Sequence, residues 1–158
     1  MSKNNFRTQR LLLFLSAIIL LLSMTACNGF NGIMREHLSN EENYHAIEAT
    51  FCSYKEADDR VYLYVTVEDK SAFDSSEANS NEITLELVGD NCGAFRDFNA
   101  KGEIQEGEKI SIKCSTWIYM DSTFYYVAEI KTQEKAILSF DDGLKNIIKY
   151  LNNNKSVF

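Results

Sequence analysis

The chain has 158 residues, of which 45% are hydrophobic, 25% charged and 12% aromatic, with seven glycines and no proline. This is the composition of a single globular domain, too apolar for a disordered segment and without the bias of a fibrous protein. The formal net charge is −7, and a chain cut before Cys27 loses Lys3, Arg7 and Arg10, leaving 13 basic against 23 acidic residues and a net charge of −10. So acidic a surface repels phosphate, so the expectation is no nucleic-acid partner and no binding of anionic headgroups through a basic patch.

The first element is an address. Lys3, Arg7 and Arg10 precede a 12-residue apolar run, Leu11 to Leu22. Twelve residues are too few to cross a bilayer core of about 30 Å but suit the apolar region of a secretory signal. Met24-Thr25-Ala26-Cys27 follows, and this stretch resembles the lipobox of bacterial lipoproteins, with Met24 where that family prefers Leu. In that family the cysteine thiol is diacylglycerylated and cleavage makes the cysteine the new N-terminus. The resemblance implies a signal peptide over 1–26, lipidation (palmitate among the acyl groups) at Cys27, and a place on the extracytoplasmic face of the cell membrane. The membrane is then a partner through the N-terminal acyl chains, at about 0.8 kcal/mol per buried methylene.

Residues 27–43 carry Gly29, Gly32 and no clean periodicity, which reads as a mobile lipidated tether. Sixteen residues of coil span about 20–25 Å, enough to hold a body clear of the headgroups. The domain is expected over 44–152, with a frayed tail at 153–158.

Within that domain, apolar residues alternate with polar ones over Tyr44–Tyr54, Arg60–Val67, Glu82–Val88, Lys109–Thr116 and Thr123–Ile130. Period-two alternation in residues of high strand propensity predicts five half-buried antiparallel strands. Their inward rows include Ile47, Leu63, Ile83, Ile112 and Phe124 or Tyr126. Lys55–Asp59 reads as a short turn, Glu68–Asn81 as an exposed loop, and Ala94–Ala100 as one or two helical turns with Phe95 and Phe98 on one face. Glu106-Gly107-Glu108 turns into the fourth strand. Asp141 or Asp142 is expected to cap a C-terminal helix, whose Leu144, Ile147, Ile148 and Leu151 form a stripe that must dock on the body.

Three strands, a short helix, a glycine turn and a two-stranded hairpin resemble the order of the OB-fold. The fold class expected is therefore mainly β: a small five-stranded antiparallel OB-like barrel, a short helical segment between strands 3 and 4, and a C-terminal helix. The resemblance implies ligand binding on the outer face of strands 2 and 3 and names no catalytic residue.

Chemistry-bearing residues are sparse. Cys52, Cys92 and Cys114 are an odd number in an oxidising compartment, and the sequence does not say whether any two pair. Cys114 shares the inward phase of Ile110 and Ile112, whereas Cys92, beside Gly93, reads as an exposed loop residue. His37 and His45 lack partners at metal-ligand spacing, so neither metal nor cofactor is expected. Asp58-Asp59 and Asp141-Asp142 are explained by turn chemistry and capping. No nucleophile-and-base pattern is present, so no enzyme activity is expected.

Aromatic residues remain. Tyr62 and Tyr64 point outward on strand 2, Thr84 and Glu86 share that phase on strand 3, and Trp117 and Tyr125 crowd the last hairpin. Rings beside hydrogen-bonding groups suit stacking on a sugar or gripping a peptide. The expectation is a non-enzymatic envelope binding module for a glycan, peptide or protein. The alternative is an inhibitor, immunity or assembly factor whose barrel face is covered by its own helix.

Overall fold

The computed structural model describes residues 32–69, 81–119 and 122–154. The signal peptide, Cys27, most of the loop after Glu68 and the last four residues lie outside the described residues. The chain divides into two compact units, Met1–Met34 and Arg35–Phe158, and the first falls almost wholly outside them.

The elements of the second unit run β1 (Tyr44–Ala57), β2 (Arg60–Val67), β3 (Glu82–Val88), α2 (Asp90–Asn99), β4 (Lys109–Tyr119), β5 (Ser122–Thr132), β6 (Ala136–Leu138) and α3 (Phe140–Asn153). They are preceded by α1 (residues 32–39), of which residues 35–39 belong to this unit. The sheet order is β3-β2-β1-β4-β5-β6, and a parallel β3–β5 pairing at Glu86 and Tyr126 closes it into a barrel. Strand order, the β1–β4 pairing and this closure make the body an OB-like barrel.

The barrel interior is filled from every strand: Ile47 and Phe51 of β1, Leu63 and Val65 of β2, Leu85 of β3, Ile112 and Cys114 of β4, Val127 and Ile130 of β5. Phe95 of α2 joins the same cluster and meets Phe51 and Tyr54 at ring separations of 6.4 and 5.4 Å. Gly107, at φ 87°, lets the chain double back so that its N–H and the Glu108 carbonyl both bond Phe51. A side chain would be strained there.

Several boundaries differ from expectation, each for a local reason. Lys55 and Glu56 pair with Tyr62 and Val61, so the first turn shrinks to Asp58-Asp59, with Asp58 at φ 41°. Asp tolerates that conformation better than most residues do. α2 begins at Asp90 and is ten residues long. That places Cys92 in a helix, where its Sγ donates to the carbonyls of Asp59 and Leu87, and it is buried rather than exposed. Burial pushes its thiol up to about 11 and that of Cys114 up to about 12. The cap of α3 is Ser139, which accepts from the Asp142 N–H and donates to the Asp142 carboxylate at 2.6 Å; neither aspartate is the cap.

The segment before β1 also departs from the expected tether. Arg35 donates to the Leu151 carbonyl, Tyr44 to that of Leu38, and Asn43 to that of His37. The compact unit therefore begins at Arg35, nine residues before Tyr44.

A second apolar cluster lies outside the barrel. Leu38, Tyr44, Tyr126, Ala128, Leu144, Ile147, Tyr150 and Leu151 are buried yet stand apart from the barrel interior. Here α3 packs mainly on β5. A Cβ on Gly143 would overlap the Ala128 carbonyl oxygen, so only glycine permits this approach. The fully buried Asn91 fastens the helix: its amide donates to the carbonyls of Val127 and Gly143, and its oxygen accepts from Asn146.

Candidate outer-face binding site

Alternation along β2 buries Val61, Leu63, Val65 and Val67 and leaves Tyr62, Tyr64 and Thr66 half-exposed on the outer face. Antiparallel register then sets Tyr62 opposite Glu86 and Tyr64 opposite Thr84. Tyr62, Tyr64 and Thr84 thus share one face of adjacent strands, with the Cα atoms of the two tyrosines about 7 Å apart along β2.

Glu86 faces outward but is only 7% exposed. The closing residue Tyr126 lies beside it, and Arg60 donates to its carboxylate at 3.2 Å. Burial pushes the Glu86 carboxyl up and the neighbouring guanidinium partly offsets this. Glu86 is committed to barrel closure and is not an open ligand contact. The Tyr126 hydroxyl is buried and has no hydrogen-bond partner among the described residues, and its ionisation is raised by burial and by the Glu86 charge.

Tyr125 is a plain correction. It is 1% exposed and belongs to the barrel interior. Counting back in twos from Ile130 places Ala128, Tyr126 and Phe124 inside. However, Lys113 pairs with Glu129 while Cys114 pairs with Val127, so Ala128 is an extra residue. This bulge shifts the phase by one, turning Tyr125 and Val127 in and Tyr126 out. Trp117 is half-buried, 5.4 Å from the His37 ring, and lies on β4 rather than among the β2–β3 residues. Cys27 lies outside the described residues.

The outer face continues past Tyr64 into a groove of about 320 Å³ lined by Glu48, Thr50, Thr66, Glu68, Asp69 and Lys109, among others. Cys52, the extra residue of a bulge in β1, sits beside it with Sγ 3.2 Å from Thr66 Oγ1. The signal that could have found this groove is phase: Thr66 follows Tyr62 and Tyr64 at the same two-residue step. Hydroxyls and carboxylates beside two rings can accept and donate to a polyhydroxylated or peptide ligand while its apolar faces stack.

Ser115 Oγ lies 3.2 Å from His37 Nε2, the spacing of a nucleophile and a base. Yet Ser115 is fully buried, and His37 Nε2 lies 2.9 Å from the Thr116 carbonyl. A nitrogen facing a carbonyl carries a proton and donates, so it does not act as a base towards Ser115. Among the described residues no group of three or more His, Cys, Asp or Glu is placed to hold a metal ion, and no helix is long and apolar enough to cross a membrane.

No family model and no curated protein matches the chain. Among solved structures it is similar to the mitochondrial single-stranded DNA binding protein Rim1 of S. cerevisiae, at 9% identity and TM-score 0.41 over 57% of this chain and 91% of that one. It is similar also to a replication protein A heterotrimer bound to single-stranded DNA, at 6% identity and TM-score 0.38 over 71% of each chain. A third is Pot1pC of Schizosaccharomyces pombe bound to single-stranded DNA, at 18% identity and TM-score 0.39 over 72% of this chain and 91% of that one. These three are single-stranded-DNA-binding proteins or complexes with single-stranded DNA, and the exclusion of a nucleic-acid partner drawn from net charge is withdrawn: charge summed over a chain does not decide what one face binds.

Proposed function

We propose that the protein is a membrane-anchored, extracytoplasmic lipoprotein whose OB-like barrel binds an envelope ligand without catalysing a reaction on it. The observation that carries the reading is the β2–β3 outer face. Tyr62, Tyr64 and Thr84 stand in register there and reach solvent, while α3 lies mainly on β5. The alternative, a face covered by Leu144, Ile147 and Leu151, is less well supported, because these residues belong to the cluster over β5. The anchor rests on the lipobox at Met24–Cys27.

Fractionation with acyl-chain labelling tests the anchor. The native chain should carry label and sediment with membranes, and Cys27→Ala should lose both. Label retained in the variant would contradict the reading. Crosslinking of intact cells followed by purification of the chain then identifies the ligand directly.

A further inference from the structure

We infer that the ligand of the open face is an extended peptide segment bearing lysine or arginine, which runs from Tyr64 across the outer face of the barrel through two adjoining grooves. The inference names the ligand class for the binding reading above and rests on it. Its first support is a row of residues that register places side by side. Thr50 pairs with Thr66 on one side and with Lys109 on the other, so these three cross β2, β1 and β4 on the outer face. Thr66 stands one outward step beyond Tyr64 on β2. The groove of about 320 Å³ lies on this row. A second, of about 330 Å³, adjoins it at Lys109 and reaches Phe98 of α2 and the Thr132–Lys135 segment between β5 and β6. With adjacent strands about 4.8 Å apart, the path from Tyr64 to Thr66 and across to β5 is about 20 Å, the length of about six extended residues.

The second support is charge. Glu48, Glu68 and Asp69 line the first groove with Lys109 as its one base. Glu103, Glu108 and Glu134 line the second, against Lys109 and Lys135. Each lysine already faces a carboxylate: Lys109 lies 3.8 Å from Glu68 and Lys135 lies 3.0 Å from Glu103. Carboxylates therefore outnumber ammonium groups three to one along the track, which a cationic segment complements.

The remaining side chains favour the same partner. An ammonium or guanidinium group is drawn to the face of a tyrosine ring. Tyr62 stands opposite Lys55, so the place for a cation is Tyr64, whose neighbours across the two ladders are Ser53 and Thr84. The hydroxyls of Thr50 and Thr66 can donate to and accept from the amides of a peptide backbone. Each exposed carboxylate contributes little alone, so affinity comes from several acting on one chain.

Fluorescently labelled hexalysine, titrated into the full chain in detergent micelles at about 0.15 M salt and followed by anisotropy, tests the inference. Glu48→Gln with Glu68→Gln should weaken binding about fivefold, and Lys109→Gln, which removes the cation where the grooves meet, should strengthen it about twofold. Glu36→Gln with Asp141→Asn removes the same charge from residues that line neither groove, and should change binding by less than about twofold. All five replaced residues are exposed, so the variants should fold. Equal loss in the two double variants would show attraction to the acidic body alone and overturn the inference, as would absence of binding or weaker binding by Lys109→Gln. The face itself is tested apart, by capture of the ligand crosslinked in intact cells. Capture lost in Tyr62→Ser with Tyr64→Ser, together with no hexalysine binding, would overturn the peptide and leave the face standing. Capture undiminished in that variant would overturn the face, and the inference with it.

Discussion

The two outer faces of the barrel carry similar residues and meet different fates. Tyr62 and Tyr64 on β2 stay half-open, whereas Tyr126 on β5 is sealed under α3 together with Ala128. Outward phase is common to both. What separates them is backbone access. The bulge at Ala128 and the missing side chain at Gly143 let a helix lie directly on β5. On β2 and β3 the outward residues are tyrosines, threonine and a paired glutamate. An aromatic residue in an outward phase therefore says little about ligands until the course of the nearest helix is known.

The sharpest way to break this contrast is Gly143→Ala. Its Cβ cannot be accommodated without moving backbone, so the covered face should open at a cost of about 3 kcal/mol or more, read in a thermal or denaturant melt. Next is Asn91→Ala, which removes three hydrogen bonds and strands buried carbonyls. About 2 kcal/mol of stability should be lost, while the Tyr62/Tyr64 face is unchanged. A third variant, Tyr126→Phe, works in the opposite direction. It deletes a buried hydroxyl with no partner, so the protein should keep or gain up to about 1 kcal/mol at neutral pH.

The same hydroxyl makes an alkaline prediction. Tyr44 and Tyr126, both on the covered face, have ionisation raised above the ordinary phenol value of 10.0, chiefly by burial. A raised value in the fold means the neutral form is favoured there. That stability is fully present below pH 10 and is lost as pH climbs towards the folded values. Unfolding monitored above pH 10 should therefore be steep in the native chain and shallower in Tyr126→Phe.

The strands were legible because alternation survives in β2, β3 and most of β4, where the ladder is regular. Tyr125 was misread at the point where Ala128 breaks the count, and a bulge leaves no mark in composition. Cys92 was misread because α2 starts directly after Gly89, with no side-chain cap to announce it. The α3 stripe was visible, but its target was not, since the decisive features are one small residue on each partner. Arg35–Asn43 looked like a tether because its contacts are long-range hydrogen bonds rather than a periodic apolar face. In the candidate site, Tyr62, Tyr64 and Thr84 followed from phase alone, while the withdrawal of Glu86 depends on Arg60 and on a strand 40 residues later in the sequence.

The central claim is that the open face binds and the covered face holds the fold. Tyr62→Ser with Tyr64→Ser tests it when partner capture and a thermal melt are run on the same preparation. Capture should fall about five- to a hundredfold, since two stacking platforms are worth about 0.5–1.5 kcal/mol each. Stability should fall by only about 1–2 kcal/mol, as for half-buried strand positions. A loss of 3 kcal/mol or more with capture unchanged would contradict the claim, because the two rings would then be structural and the ligand would bind elsewhere.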